Sequence, residues 1–170
     1  AYAGLLPFVD DKKDDSNRAI GGLPRELLLT PQISRLFQET FGPGRAVDTS
    51  WRRPAMNYWA LELTRAHDLS LTCPACSMSY FRDHDECPYC AARRPSYVVA
   101  TTDRWRIVLQ HAVGTVALPH RLFNPFSCAH FSEAAYHAVL DVTAQTATHA
   151  RGTPALPPAL AFEFVEEAGG

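Results

Sequence analysis

The stretch TCPACSMSYFRDHDECPYC, residues 72–90, contains two Cys-Pro-x-Cys motifs with ten residues between them. Each motif offers two sulfurs from one tight turn, and the proline after its first cysteine fixes φ at the first intervening position. The ten intervening residues are enough for a short hairpin. Tetrahedral metal ions are bound by such paired knuckles. The stretch therefore predicts a metal site whose ligands are Cys73, Cys76, Cys87 and Cys90.

The metal that this ligand set favours is Zn²⁺, one per chain and in a structural role. Four thiolates complete the tetrahedron and leave no position for water or substrate, so we expect no catalysis at the metal. His84 lies between the motifs, with acidic neighbours, and could replace one sulfur. We expect it instead to be a solvated loop histidine.

Two other uses of paired cysteines stay open. Iron in a rubredoxin-like site also suits Cys-Pro-x-Cys, but no glycine follows Cys76 or Cys90 and the intervening loop is short for that fold. A nucleic-acid-binding zinc ribbon is expected to carry a basic and aromatic hairpin. Residues 77–86, SMSYFRDHDE, carry more acid than base, which disfavours nucleic acid as a partner.

Composition and charge set further bounds. The chain has 170 residues, 46% of them hydrophobic, and a net charge of −2. The charges are evenly spread, so no basic surface for a polyanion is expected. No apolar run approaches the roughly 20 residues of a membrane helix, and the N-terminus lacks a signal pattern. We therefore expect a soluble cytoplasmic protein that does not bind a membrane. The fifth cysteine, Cys128, lies outside the two motifs, and we expect it to be a small buried apolar residue.

The pattern of apolar residues predicts an α+β fold in three parts: a helical segment at 1–68, a zinc ribbon at 69–95 and a β-rich domain at 96–170. In the first part, Thr30 and Pro31 predict the N-cap and first residue of a helix that the sequence GPG ends. A second helix is expected from Pro54. The apolar residues expected to face the core of these helices are Ile33, Leu36, Phe37, Phe41, Met56, Trp59, Ala60 and Leu63.

The third part contains short runs rich in Val, Ile, Leu and aromatic residues, which predict strands. These runs occupy 96–102, 104–110, 114–118, 136–144 and 159–167. They favour a small antiparallel sandwich or partial barrel. The alanine-rich stretch 132–147 leaves a helix open as an alternative. Prolines at 154, 157 and 158 predict a loop before the last strand.

No catalytic motif accompanies the cysteines. The glycines at 21–22 and 42–44 are not followed by the Lys-Ser/Thr of a phosphate-binding loop, and no nucleophile elbow occurs. Histidines of the β-rich part, among them His111, His120, His130 and His137, lack the spacing of metal ligands. We therefore expect no enzymatic activity from this chain.

The helical segment resembles the end of the C-terminal lobe of a bacterial Ser/Thr protein kinase. In that family, an aromatic-rich helix end precedes a loop, an Arg-Pro pair and a helix with tryptophan, and an upstream turn carries Gly-x-x-Pro-Phe. The matching residues here are Gly4, Pro7, Phe8, Leu36, Phe37, Phe41, Arg53, Pro54 and Trp59. With its ribbon and β-rich tail, the chain is similar to kinases of tellurite-resistance-associated triads. Those systems combine a kinase, a 2C-type protein phosphatase and a von Willebrand A-domain protein.

The resemblance implies that the chain belongs to a longer protein with a kinase domain upstream. It implies a buried ion pair between Arg53 and a glutamate of that upstream part. The motifs that bind ATP and catalyse transfer are missing from this sequence. The expected function is therefore a non-catalytic regulatory region that docks a protein partner. The von Willebrand A-domain protein, and secondarily the 2C-type phosphatase, are the expected partners, and a nucleic-acid-binding zinc protein is the alternative.

Overall fold

A computed structural model describes residues 11, 14–18, 20–21, 23–42, 53–110, 114–123, 138–142, 146–149 and 160–166. The chain divides into two compact units, Ala1–His67 and Asp68–Gly170. Helices lie in the first unit and antiparallel sheets in the second, so the predicted α+β class is confirmed. The finer division into ribbon and β-rich domain stays a prediction.

The first unit contains α1 (Arg25–Leu28), α2 (Pro31–Phe41) and α3 (Met56–Asp68), and the last residue of α3 falls in the second unit. The predicted start of α2 is confirmed, since Thr30 Oγ1 accepts a hydrogen bond from the amide of Ile33 at 3.2 Å.

The helix α2 ends at Gly42 with φ of −64°, and the amide of Gly42 donates to the carbonyl of Gln38. Glycine is required at this end because a Cβ atom at Gly42 would collide with that carbonyl oxygen.

The predicted apolar faces of the helices are only partly buried. Ile33 and Leu36 are buried, and the ring of Phe37 meets Trp59 edge to face with centroids 5.0 Å apart. Met56 is 78% exposed and Leu63 51% exposed, so their prediction as core residues is wrong. The same correction applies to Phe41 and Ala60, which are exposed. Within the described residues, Phe37 therefore packs against one member of the apolar stripe of α3, Trp59, whereas the rest of the stripe is exposed.

The described residues of the second unit form three antiparallel sheets. A two-stranded hairpin pairs β1 with β2; a three-stranded sheet has the order β4-β3-β8; another has the order β5-β6-β7. The strands are β1 (Ser70–Thr72), β2 (Ser79–Phe81), β3 (Tyr97–Thr101), β4 (Arg106–Gln110), β5 (Thr115–Leu118), β6 (Ala138–Asp141), β7 (Thr146–His149) and β8 (Ala161–Val165). A short 3₁₀ helix spans His120–Leu122 between β5 and β6.

The first three-stranded sheet is centred on β3. Residues 97–100 of this strand are buried in succession, and β4 and β8 flank it so that Val99 lies opposite Val108 and Glu163. A strand that is buried on both faces has a continuous apolar run in its sequence, as YVVA is here. The five predicted strands of the third part are confirmed within a few residues at their ends.

The second three-stranded sheet buries Leu118 and Leu140 completely. The amide of Val142 donates to the carbonyl of Gly114, which extends the pairing of β5 with β6 by one step. The helix left open over 132–147 is wrong for residues 138–141 and 146–147, which form β6 and the start of β7. Cys128 and the proline-rich loop before β8 lie outside the described residues, and the sandwich or barrel arrangement stays a prediction.

A buried polar group lies at the start of the second unit. The Asp68 carboxylate is fully buried and accepts hydrogen bonds from Trp105 Nε1 at 2.6 Å and from Arg121 Nε and Nη2 at 2.8 and 2.7 Å. Nearby, Thr102 Oγ1 donates to the carbonyl of Leu122 at 2.8 Å. A buried charge is tolerated when it is paired and hydrogen-bonded in this way, so the group fixes residues distant in sequence.

Candidate metal centre

The two Cys-Pro-x-Cys motifs fold into knuckles with the same backbone hydrogen bonds. In the first knuckle, the amide of Cys73 donates to the carbonyl of Met78, and the amide of Ser77 donates to the carbonyl of Cys73, both at 2.9 Å. In the second knuckle, the amide of Cys87 donates to the carbonyl of Ala92 at 2.7 Å, and the amide of Ala91 donates to the carbonyl of Cys87 at 2.9 Å. The local sequence thus folds twice into one turn, which presents two cysteines each time.

Each knuckle needs a left-handed residue directly after its second cysteine. Ser77 has φ of 61° and Ala91 has φ of 57°. Residues with a Cβ atom adopt this region at a cost of about 1–2 kcal/mol relative to glycine. The missing glycines, which counted against iron in the sequence, therefore do not prevent the turn, and the knuckles carry backbone strain instead. The sequence signal that could have predicted this strain is the lack of glycine directly after Cys76 and Cys90.

The four predicted ligands come together. The sulfur atoms of Cys73, Cys76, Cys87 and Cys90 all lie within 4.8 Å of one another. The shortest distances run between the knuckles: 3.6 Å from Cys73 Sγ to Cys90 Sγ and 3.6 Å from Cys76 Sγ to Cys87 Sγ. Thiolates about 2.3 Å from a tetrahedral ion lie about 3.8 Å apart. The cluster therefore fits a single metal ion, and these four cysteines are positioned to hold one.

The hairpin lies elsewhere than expected. The ten residues between the knuckles supply β2, but its partner β1 precedes the first knuckle, and Thr72 pairs with Ser79 across it. An isolated bridge between Glu86 and Arg93 flanks the second knuckle in the same manner. Each knuckle is thus the closed end of a short antiparallel pair, which brings its two cysteines to one place.

Electrostatics in the cluster favour a bound cation. Burial raises the pKa of the Cys73 thiol, but amide hydrogen bonds from Cys76 and Ala75 and contacts with the Cys90 and Cys76 thiols outweigh it and lower that pKa to about 7. The amide of Met78 lowers the pKa of Cys76, whereas burial and the Cys90, Cys73 and Cys87 thiols raise it to about 12 overall. Like charges so close disfavour one another, so ionisation of all four sulfurs requires a positive ion among them.

The cysteine cluster is part of a hydrophobic core. Cys73 and Cys87 are each 1% exposed and pack with Leu71 and Tyr80 of the hairpin and with Val99 of the central strand β3. Partly buried residues from β4 and β8 join the same cluster, namely Val108 and Val165. The cysteine cluster and the three-stranded sheet therefore share one core.

A tyrosine and an arginine lie beside this core. The Tyr80 hydroxyl and Arg94 Nε are both buried, and neither has a hydrogen-bond partner among the described residues. Burial, and then the negative charges of Cys73 and Cys87, raise the pKa of Tyr80 to about 12, although Arg94 opposes the shift.

The Arg94 side chain is held at its other end. Its Nη1 donates to the carbonyl of Arg82 at 3.3 Å and pairs with Asp85 at 3.0 Å, and its guanidinium lies over the ring of Tyr97. The sequence did not predict that Arg94 lies beside the cysteine cluster. Its one signal in the sequence is that Arg94 closely follows the second knuckle.

Two other residues singled out in the sequence do not join the site. His84 is half-buried and lies outside the group of side chains placed to share a metal ion. Arg53 is exposed, and the ion pair implied for it involves a residue outside this sequence, so that pairing stays a prediction. The candidate centre therefore consists of four sulfurs and no further ligand among the described residues.

No family model, curated protein or solved structure matches the chain. Within the part of the chain that the structure describes, the helices are all too short or too polar to span a bilayer. The candidate metal centre is therefore identified from its geometry alone. Its features are the paired knuckles, the four sulfurs within reach of one ion and the burial of two of these cysteines.

Proposed function

We propose that residues 69–95 form a structural zinc ribbon, with Zn²⁺ bound by Cys73, Cys76, Cys87 and Cys90. The observation that carries this proposal is the sulfur cluster, whose closest distances match a tetrahedral thiolate site. Among the described residues the grouped ligands are four soft thiolates, which favour zinc over oxygen-preferring ions such as Mg²⁺ and Ca²⁺. When bound, zinc would offset part of the negative charge of the thiolates and close both knuckles onto the core, without an open position for catalysis.

Cobalt(II) titration tests the metal site and its geometry. Four thiolates around cobalt give intense visible absorption that is characteristic of tetrahedral coordination, and Zn²⁺ should displace cobalt stoichiometrically. A red iron-loaded protein after purification, or cobalt spectra typical of octahedral oxygen coordination, would contradict the zinc assignment.

We propose that the ribbon belongs to the non-catalytic regulatory region of a bacterial, cytoplasmic Ser/Thr protein kinase. The support is the resemblance of residues 27–68 to the end of a kinase lobe, together with free thiols that suit a reducing compartment. The proposed role is docking of a von Willebrand A-domain protein, with a 2C-type protein phosphatase as a second partner. A catalytic role for this chain is not proposed, since its sequence lacks the motifs for binding ATP.

Nucleic acid is the less favoured partner. Two of the arginines near the sulfur cluster are engaged within the protein: the Arg82 and Arg94 side chains are only 17% and 16% exposed, and each lies within 4 Å of a carboxylate. Phosphate binding requires displayed cations, and these two are largely covered.

Co-purification with the von Willebrand A-domain protein encoded beside the parent gene tests the docking proposal. We expect enrichment on the intact chain and loss of enrichment on a chain whose ribbon is unfolded by Cys73→Ser. Equal capture by both chains, or capture by neither, would contradict docking through this region. Salt-sensitive binding of a random DNA or RNA oligonucleotide would favour the nucleic-acid alternative instead.

A further inference from the structure

The four cysteines of the cluster differ in their access to solvent. Cys90 is exposed, Cys76 is half-buried, and Cys73 and Cys87 are each 1% exposed within the core. Oxidation of cysteine follows thiolate character and exposure. Metal coordination keeps each of the four sulfurs as a thiolate. Exposure is therefore what distinguishes them, and it selects Cys90 as the sulfur that a small oxidant reaches first.

The partner for an oxidised Cys90 lies in the other knuckle. Cys90 Sγ is 3.6 Å from Cys73 Sγ, and Cys76 Sγ is likewise 3.6 Å from Cys87 Sγ. A buried thiolate so close to an exposed one has the arrangement of a resolving cysteine beside a reactive cysteine. Cys73 is fixed there by its place in the core with Leu71, Tyr80 and Val99.

We propose that the cysteine cluster is a peroxide-sensitive switch, in which oxidation at Cys90 and resolution by Cys73 release the bound zinc. This inference rests on the proposed zinc site and adds a regulatory chemistry to it. The oxidant is hydrogen peroxide or an organic hydroperoxide. The products are a disulfide between Cys73 and Cys90 and free Zn²⁺.

The steps balance in atoms and electrons. The Cys90 thiolate attacks one oxygen of hydrogen peroxide, the O–O bond breaks, and Cys90 sulfenic acid and hydroxide form. The Cys73 thiolate then attacks the Cys90 sulfur, the S–S bond forms, and a second hydroxide leaves. Two protons convert both hydroxides to water. Two electrons have passed from the two sulfurs to the peroxide, and zinc, left with two thiolates, dissociates.

Reversal needs a dithiol reductant and a zinc ion. One thiolate of the reductant attacks the exposed Cys90 sulfur and releases the Cys73 thiolate, since access governs which sulfur is attacked. The second thiolate of the reductant then attacks the mixed disulfide, which releases the Cys90 thiolate and leaves the reductant as a cyclic disulfide. The freed thiolates of Cys73 and Cys90 then rejoin Cys76 and Cys87 around a zinc ion.

The experiment uses the full chain with its zinc content measured first. Hydrogen peroxide is added in the presence of a chromogenic zinc chelator and dimedone, which traps sulfenic acids, and mass spectrometry maps the labelled cysteines. We expect one zinc released for each chain oxidised, early dimedone label on Cys90, a Cys73–Cys90 disulfide when dimedone is omitted, and zinc rebinding after dithiothreitol.

Two matched variants separate oxidation at Cys90 from general damage. Cys90→His and Cys76→His each leave three cysteines and one histidine, a ligand set that also binds structural zinc. Only Cys90→His removes the exposed sulfur, and a ring nitrogen is not oxidised by peroxide. We expect zinc release to slow at least about tenfold in Cys90→His, because exposure selects the oxidised thiolate. Release from Cys76→His, which alters a ligand but keeps the exposed Cys90 sulfur, should be faster than release from Cys90→His.

The outcomes distinguish the switch from the zinc site. Zinc that is bound and stays bound under peroxide overturns the switch alone. First label on Cys73 or Cys87, a disulfide within one knuckle, or equal slowing in both histidine variants also overturns it. A chain that binds no zinc before peroxide overturns the proposed zinc site and, with it, the release step.

Discussion

The side-chain amide of Gln110 pairs with the main chain of Thr72 as a neighbouring strand would. Gln110 Oε1 accepts from the amide of Thr72, and Gln110 Nε2 donates to the Thr72 carbonyl, both at 2.6 Å. Thr72 directly precedes the buried ligand Cys73, and Gln110 is the last residue of β4. These two hydrogen bonds, together with the shared core, connect the cysteine cluster to the three-stranded sheet.

Gln110→Ala should therefore weaken metal retention as well as the fold. Loss of two partly exposed hydrogen bonds is expected to lower the free energy of unfolding of the second unit by about 1 kcal/mol. Zinc should transfer to a competing chelator several-fold faster. Chemical denaturation and chelator kinetics measure the two effects. Arg106→Ala, at the opposite end of β4, is the matched control, and equal effects of both variants would contradict the link.

Relief of strain in the second knuckle should stabilise the site. Ala91 has a left-handed backbone, which costs about 1–2 kcal/mol for a residue with a Cβ atom. Glycine lowers the free energy of unfolding by about 0.5–1 kcal/mol, because it loses more conformational freedom on folding than alanine does. The relief of strain is at least as large, so Ala91→Gly should be neutral to stabilising. Ala91→Val should destabilise the chain, because β-branched residues rarely adopt positive φ. Thermal unfolding of the zinc-loaded variants tests this order, and a reversed order would contradict it.

Removal of the buried charge at Asp68 should be costly. Asp68→Asn leaves Arg121, whose side chain is 27% exposed, without its ion-pair partner, and we expect a loss of about 3 kcal/mol. Arg121→Lys keeps the charge but not the two-pronged geometry, so it should cost less than Asp68→Asn. Urea denaturation measures both. If Asp68→Asn unfolds with the midpoint of the wild-type chain, the buried pair does not contribute as described.

Acid should compete with the metal. Raised pKa values of Cys76 and Cys90 mean that these thiols hold protons at neutral pH without metal, and binding must displace at least those two protons. Affinity should therefore fall as the pH is lowered from about 8 to about 6. Calorimetry in buffers of different ionisation enthalpy counts the released protons. Affinity independent of pH, or no proton release, would contradict thiol ligation.

Local sequence signals predicted the features that depend on a few neighbouring residues. The two knuckles and the clustering of the four cysteines follow from cysteine spacing, and the start of α2 follows from Thr30 and Pro31, because a knuckle or a cap is a local structure. The strands β3 and β4 follow from their apolar runs.

Features that depend on tertiary contacts were not predictable in this way. Gln110 meets Thr72 across 38 residues, and Arg121 meets Asp68 across 53. Nothing in their local sequence marks either pair. The exposure of Met56 and Leu63 was also missed, because periodicity identifies an apolar face but not whether another element covers it.

The most direct test of the central claim is the mass of the intact chain under native conditions. We predict that the purified protein carries about one zinc ion, and that Cys73→Ser, which removes a buried ligand, lowers its zinc content and opens the second unit to proteolysis. A wild-type chain with no metal, or with iron, would contradict the account. So would a Cys73→Ser chain with unchanged zinc content and unchanged resistance to proteolysis.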